Sequence, residues 1–363
     1  MYRVSSWRRS FATLSIAVMA VGLLIVATAC GGGAPAQPTS APSKAAPAAT
    51  AGSAQQPAAA AGAQTVKFAS VAAEDHPHHK AFLFFADRVK ELTNGKLNVQ
   101  VFANSQLGNE REYVEQLQIG QIEFAKTSSA VIGPFIPQFQ VFDLPYVFKS
   151  REHLFKQTDG EVGQTLIKLA EQKLNVKVFG FFDAGTRSIF NSKKPINTPA
   201  DMKGMKLRVM ENPLMIQTFN SLGALATPMA VGEQYSGMQQ GVIDGAENSP
   251  VFYRSQKFYE VAKYYSYTDH FMTPDVPLMS LKWYNAQPKE IQQAVDQAGK
   301  EMVQKEREIW LEYEKFVADD LTKNGVQFNN VQDKNAFAKL VEPLYSKFGE
   351  KIGQDLVNKA AAQ

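Results

Sequence analysis

Two stretches of this chain align without gaps: "EYVEQLQIGQIEFAKTSS" at 112–129 and "EQYSGMQQGVIDGAENSP" at 233–250. They share Glu, Gln, Gly, Ile and an acidic residue in register, and each reads as a helix stopped by Gly and followed by a strand. A repeated helix–strand unit constrains the fold more than any single motif here, because two copies imply two similar α/β lobes. A shorter recurrence, "KLNV" at 96–99 and "KLRV" at 206–209, points the same way.

Flanking patterns extend the first copy into a strand and helix alternation. "TVKFASVA" (65–72) reads as a strand, "HKAFLFFADRVKELTNG" as an amphipathic helix and "KLNVQVFA" as the next strand, the order of a mostly parallel sheet. Residues 177–196 carry the chain from one lobe to the other, and the apolar, β-rich stretch 264–285 carries it back. After Pro288 helical spacing runs almost unbroken to Asn324, which at 1.5 Å per residue extends on the order of 50 Å, long enough to brace both lobes. The expected partition is 65–185 plus 275–313 for lobe I and 186–274 plus 314–363 for lobe II with the C-terminal helices.

The front end does not belong to this fold. Arg3, Arg8 and Arg9 precede an apolar run from Phe11 to Val26 and small residues ending at Cys30, so residues 1–29 read as an export signal. "ATAC" resembles a lipobox, which makes Cys30 the expected lipidation site. Cys30 is also the single cysteine, so no internal disulfide can form. Residues 30–64 are rich in Ala, Pro, Gly, Ser and Gln and read as a disordered tether spanning on the order of 30 Å.

Removing the signal changes the charge balance. The chain has 38 basic and 35 acidic residues; 38 − 3 = 35, so the mature protein is formally neutral. Nothing in that balance recommends nucleic acid as a partner.

Two lobes joined by crossovers leave a cleft at the strand ends, where α/β sheets bind ligands. Arg208, Asn248, Thr127 and Ser128 all fall at or near such ends. An arginine on a strand is ordinarily solvated, so Arg208 needs a reason to be anywhere else.

That reason comes from a resemblance. The stretches "GKLNVQVFANSQLGNERE", "VFDLPYVF", "GTRSIFNSKKPINTPADMKGMKLRV", "GALATPMAVGEQY" and "QQGVIDGAENS" followed by "KFYEVAKYYSYTDH" resemble, in order and spacing, the DctP-like solute-binding proteins of tripartite ATP-independent periplasmic (TRAP) transporters. The resemblance runs from about Thr65 to the C-terminus. It implies a two-lobed periplasmic-binding-protein-like α/β fold with hinge crossovers, no catalysis and no cofactor. The implied role is capture of an organic acid and delivery to the small and large membrane subunits of a TRAP transporter. The implied place is the periplasm or outer face of the cytoplasmic membrane.

It further implies that Arg208 makes a two-pronged salt bridge to the ligand carboxylate, with Arg187 and Asn248 lining the same cleft. Glu247, beside them, either repels a carboxylate ligand or orients a neighbouring donor. Where sugar-acid members carry a charged pair and a stacking aromatic, this chain has Ser128, Val131 and Val231. The expected ligand is therefore a small monocarboxylate rather than a sugar acid, with a dicarboxylate possible if Arg187 takes a second group.

Two rivals have sequence features to weigh. No nucleophile elbow, phosphate loop or HExxH motif supports an enzyme. The "EDHPHH" cluster raises a metal-uptake lipoprotein using His76, His78 and His79, but Pro77 marks a helix start and the three lack one-face spacing, so the cluster reads as a polar loop at the cleft rim. Of the aromatics near the crossovers, Phe181, Phe182, Phe252, Tyr253, Trp283 and Tyr284, most belong in the core, with Phe182 and Trp283 the two expected to face ligand.

Overall fold

The computed structural model describes residues 62–362. The expected leader 1–29, Cys30 and the tether up to Ala61 lie outside the described residues. The first strand, β1, starts at Gln64, one residue before its expected position.

The strands form two sheets. The first has the order β2-β1-β3-β10-β4, from β1 (Gln64–Ala69), β2 (Leu97–Phe102), β3 (Phe124–Ser128), β4 (Val176–Val178) and β10 (Asp275–Ser280). The second has the order β11-β9-β5-β8-β6-β7, from β5 (Arg187–Asn191), β6 (Lys206–Val209), β7 (Leu225–Pro228), β8 (Gly245–Asn248), β9 (Tyr264–Phe271) and β11 (Gln327–Asn330). The chain changes sheet between β4 and β5, between β9 and β10 and again between β10 and β11, and each sheet contains one strand laid antiparallel against the repeated unit.

The eighteen-residue repeat is structural. Gly120 and Gly241 both adopt left-handed φ angles, 73° and 71°, a conformation that glycine takes without a Cβ penalty and that ends each helix. Glu123 and Asp244 each accept a backbone N–H, from Lys67 at 2.7 Å and Lys206 at 2.9 Å. Ser128 and Ser249 then cap the helices that follow β3 and β8.

These bonds correct the shorter recurrence. Lys67 and Lys206 are equivalent, so the counterpart of "KLRV" is "KFAS" at the end of β1, not "KLNV", which leads into the edge strand β2. The four-residue likeness reflects the common Lys-Leu-x-Val strand pattern rather than position in the sheet. Ala69 stands in the first sheet where Arg208 stands in the second.

The Lys289–Lys323 helix begins after Pro288 and ends at Asn324, as its pattern predicts. Val295, Ala298 and Met302 enter a core with Phe82 and Phe85, while Trp310, Val317 and Leu321 enter a second core with Phe190, Tyr253 and Phe258. One helix thus braces both halves. A Cβ on its Gly299 would meet the Phe179 ring at 2.1 Å, so the close approach of the crossover segment needs glycine there. Among the described residues no helix is long and apolar enough to cross a membrane.

Candidate ligand-binding site

A cavity of about 390 Å³, counted to its mouth, lies where the carboxyl ends of β3, β6 and β8 converge. The second sheet contributes Arg208, Arg187 and Asn248; the first contributes Lys126, Ser128 and Asp275. Helix starts add His76, His78 and Glu110, and the long helix adds Trp310.

Three cations are buried here, and their partners differ. The Lys126 ammonium donates to Glu110 Oε1 at 2.8 Å and Asp275 Oδ2 at 2.7 Å; burial disfavours its charge, but these two carboxylates more than offset that and hold it protonated. Arg187 is clamped by Glu247, with Nε donating to Oε2 at 2.6 Å and Nη2 to Oε1 at 2.7 Å, while Nη1 donates to Asn248 Oδ1 at 3.1 Å. Burial opposes the Glu247 charge, yet the Arg187 guanidinium holds its carboxyl down at about 2.

Arg208 is different. It is 4% exposed, Nε donates to Met229 O at 2.8 Å, and no carboxylate lies within 4 Å of it among the described residues. Burial, together with repulsion from Arg187, lowers its pKa to about 10. The two terminal nitrogens of its fork have no protein acceptor among the described residues. Asn248 is arranged to assist: its Oδ1 accepts from Arg187 and from Ser249 N, so its amide N–H groups are left to donate. A buried guanidinium with no carboxylate against it, beside a free amide, has the donor chemistry to pair with an anion carrying two oxygens.

The profile of bacterial extracellular solute-binding protein family 7 (DctP) matches residues 68–352. This chain belongs to that family. A Chromohalobacter salexigens solute-binding protein is 36% identical over 273 residues, 75% of this chain and 81% of the relative. A TRAP periplasmic solute-binding protein of a Sulfitobacter species, solved with bound β-D-galacturonate, superposes with TM-score 0.78 at 38% identity, covering 81% of this chain and 98% of the other. One from Sulfurospirillum deleyianum, solved with succinate, superposes with TM-score 0.79 at 33% identity over 82% and 98%. The family is periplasmic and made of transport proteins rather than enzymes.

Within this family-7 solute-binding protein the expected site residues separate into two groups. Arg208, Arg187, Asn248 and Ser128 come together at the cavity. Thr127 does not line it: strand alternation turns Lys126 and Ser128 toward the cleft and Thr127 away, its hydroxyl donating to Ser128 O at 3.4 Å. Phe182 and Trp283 are corrections. Phe182 is fully buried against Phe82 and His78, and Trp283 packs edge-on to Phe124, so both serve the core behind the first sheet.

The histidines are also not at a polar rim. His76 and His78 are buried and line the cavity. His76 Nδ1 accepts the His78 N–H and so caps the Pro77–Leu92 helix; burial, with His78 and Lys126 nearby, drives its pKa well below the ordinary histidine value. No set of three or more His, Cys, Asp or Glu side chains among the described residues is placed to hold a metal ion. Lys126, Glu110, Asp275 and Trp310 were missed altogether. The repeat held a signal for one of them, since it sets Lys126 opposite Glu247, a charged residue in each copy of an otherwise buried strand.

Proposed function

We propose that this protein captures a small organic acid by its carboxylate at Arg208 and delivers it to the membrane subunits of a TRAP transporter, tethered to the membrane by lipid on Cys30. The observation that carries the reading is the buried, unpaired Arg208 fork beside the Asn248 amide. Arg187 supports the site indirectly. With Glu247 filling its Nε and Nη2 side, it orients Asn248 instead of taking a second carboxylate, and Glu247 is the group that orients a donor.

Sugar acids, set aside on sequence grounds, return as ligands. A relative at 38% identity was solved with galacturonate, and this cavity is lined by polar groups the sequence did not reveal. Because both sheets line the cavity and Arg208 is 4% exposed, a ligand enters only when the lobes part. Saturation should therefore shrink the scattering radius of the mature protein.

A thermal-shift screen of D-galacturonate, D-glucuronate, succinate and pyruvate against neutral sugars tests the assignment. At a hundredfold excess over Kd linkage supplies about 2.7 kcal/mol, enough to raise the melting temperature by several degrees. Stabilisation by neutral sugars with no response to any carboxylate would overturn it.

A further inference from the structure

One buried imidazole at the cavity wall is held between carboxylates on both sides. His78 lines the cavity and is 1% exposed. Its Nδ1 lies 3.3 Å from Asp275 Oδ2, and its Nε2 lies 3.3 Å from Glu306 Oε1 and 2.8 Å from Asp183 O. All three neighbours are acceptors. A neutral imidazole has one N–H, so in either tautomer the other nitrogen turns a lone pair toward an oxygen. His78 Nδ1 and Glu306 Oε1 are accordingly buried without a hydrogen-bond partner. One more proton, on the ring or on Glu306, satisfies both atoms.

The surrounding charges favour that proton. Asp183 is balanced by Arg151 at 2.7 Å, whose other side meets the partly exposed Glu314. Lys126 stands between Glu110 and Asp275, and Arg187 is taken up by Glu247. His76, its ring centroid 4.5 Å from that of His78, is kept neutral by burial and by that neighbour. These pairings leave no cation for Glu306, which comes from the long helix and is fully buried. It accepts the Asp183 N–H at 3.0 Å. Burial raises its carboxyl to about 7 against the pull of His78.

We infer that His78 and Glu306 form a proton-linked pair that sets the pH dependence of capture: an anion filling the cavity draws a proton onto the pair, and affinity falls as pH rises through neutrality. The inference rests on the reading that the cavity holds a carboxylate at Arg208, and not on which carboxylate it is. Its sign follows from charge. An anion beside His78 favours the protonated pair, and a site that holds its proton more firmly in the complex takes up protons on binding. Arg208, lowered only to about 10, stays charged through this range, and a ligand carboxyl titrating near about 4 stays ionised, so neither supplies the dependence. Glu306 does not line the cavity and acts through His78, as a positioning residue.

Calorimetry on the mature protein with D-galacturonate, D-glucuronate, succinate and pyruvate, in buffers of low and high ionisation enthalpy, counts the protons. Near pH 7 each acid that binds should bring roughly a fifth to a half of a proton, and its affinity should be at least about threefold higher at pH 5.5 than at pH 8.5. Glu306→Gln fixes the pair at the charge it has when protonated. It should lose most of the uptake and bind at pH 8.5 about as tightly as the parent does at pH 5.5, a gain that a merely structural role does not produce. Asp143→Asn removes another buried carboxyl raised into this range, to about 8, and should leave the uptake in place. No proton uptake by the parent, or uptake that survives in Glu306→Gln, would overturn the pair while leaving the Arg208 assignment standing. Failure of every one of these acids to bind would overturn both.

Discussion

Replacing Arg208 by Met should stabilise the unliganded protein and abolish binding, two effects of opposite sign from one substitution. Burial and Arg187 lower the Arg208 pKa from the ordinary arginine value to about 10. At about 1.36 kcal/mol per pH unit this is on the order of 3 kcal/mol by which the folded state disfavours the charge at neutral pH. The sign follows from linkage: a base whose pKa falls on folding opposes folding at every pH below that lowered value. Methionine removes the charge and keeps an unbranched, apolar stem, but it forfeits the bond from Nε to Met229 O, worth about 1 kcal/mol. The net gain is about 1–2 kcal/mol, a rise of a few degrees in melting temperature. On the binding side, two charge-assisted hydrogen bonds at about 1.5–3 kcal/mol each vanish, a loss of roughly a hundredfold to ten-thousandfold in affinity. Arg208→Lys keeps the charge without the planar fork and should lose at least tenfold. Scanning fluorimetry of the unliganded proteins and calorimetry with D-galacturonate read both effects. A variant that melts lower than the parent, or binds within threefold of it, would show that Arg208 is an ordinary structural arginine.

Three other perturbations have signs fixed by the structure. Burial raises the Glu306 carboxyl to about 7 despite the opposing pull of His78, so the fold keeps a proton that the unfolded chain releases, and stability falls as pH rises from about 4.5 to about 7; Glu306→Gln should melt higher than the parent at pH 8 and not at pH 4, and an equal difference at both would refute this. Glu247→Gln leaves Arg187 buried without its counter-ion and should cost about 3–5 kcal/mol in urea unfolding at pH 7. Because Glu247 is held at about 2, its contribution is present above about 4.5 and fades as pH falls toward 2, so the gap between parent and variant must close in acid. Cys30→Ser should move the protein from the membrane to the soluble fraction of cells, and retention at the membrane would remove lipid as the anchor.

What could be read from the sequence was local or periodic. The ends of the Lys289–Lys323 helix, the glycine stops at Gly120 and Gly241 and the two-lobed plan all follow from helical spacing and one internal repeat. Arg208 was legible as a candidate because the "KLRV" strand that carries it resembles a strand of the solute-binding family. Which of the buried cations is free was not legible. Arg187 is neutralised by Glu247 sixty residues away, and Lys126 by Asp275 at a separation of 149. Sequence reports where a charge is, whereas its availability to a ligand depends on what the fold brings within about 3 Å. The same holds for Phe182 and Trp283, whose composition suited a ligand wall but whose strand and helix faces turn them into the core beside Phe82 and Phe124. His76 and Trp310 lie 234 positions apart in the chain, and only the long helix crossing both cores brings the two side chains into the lining of one cavity.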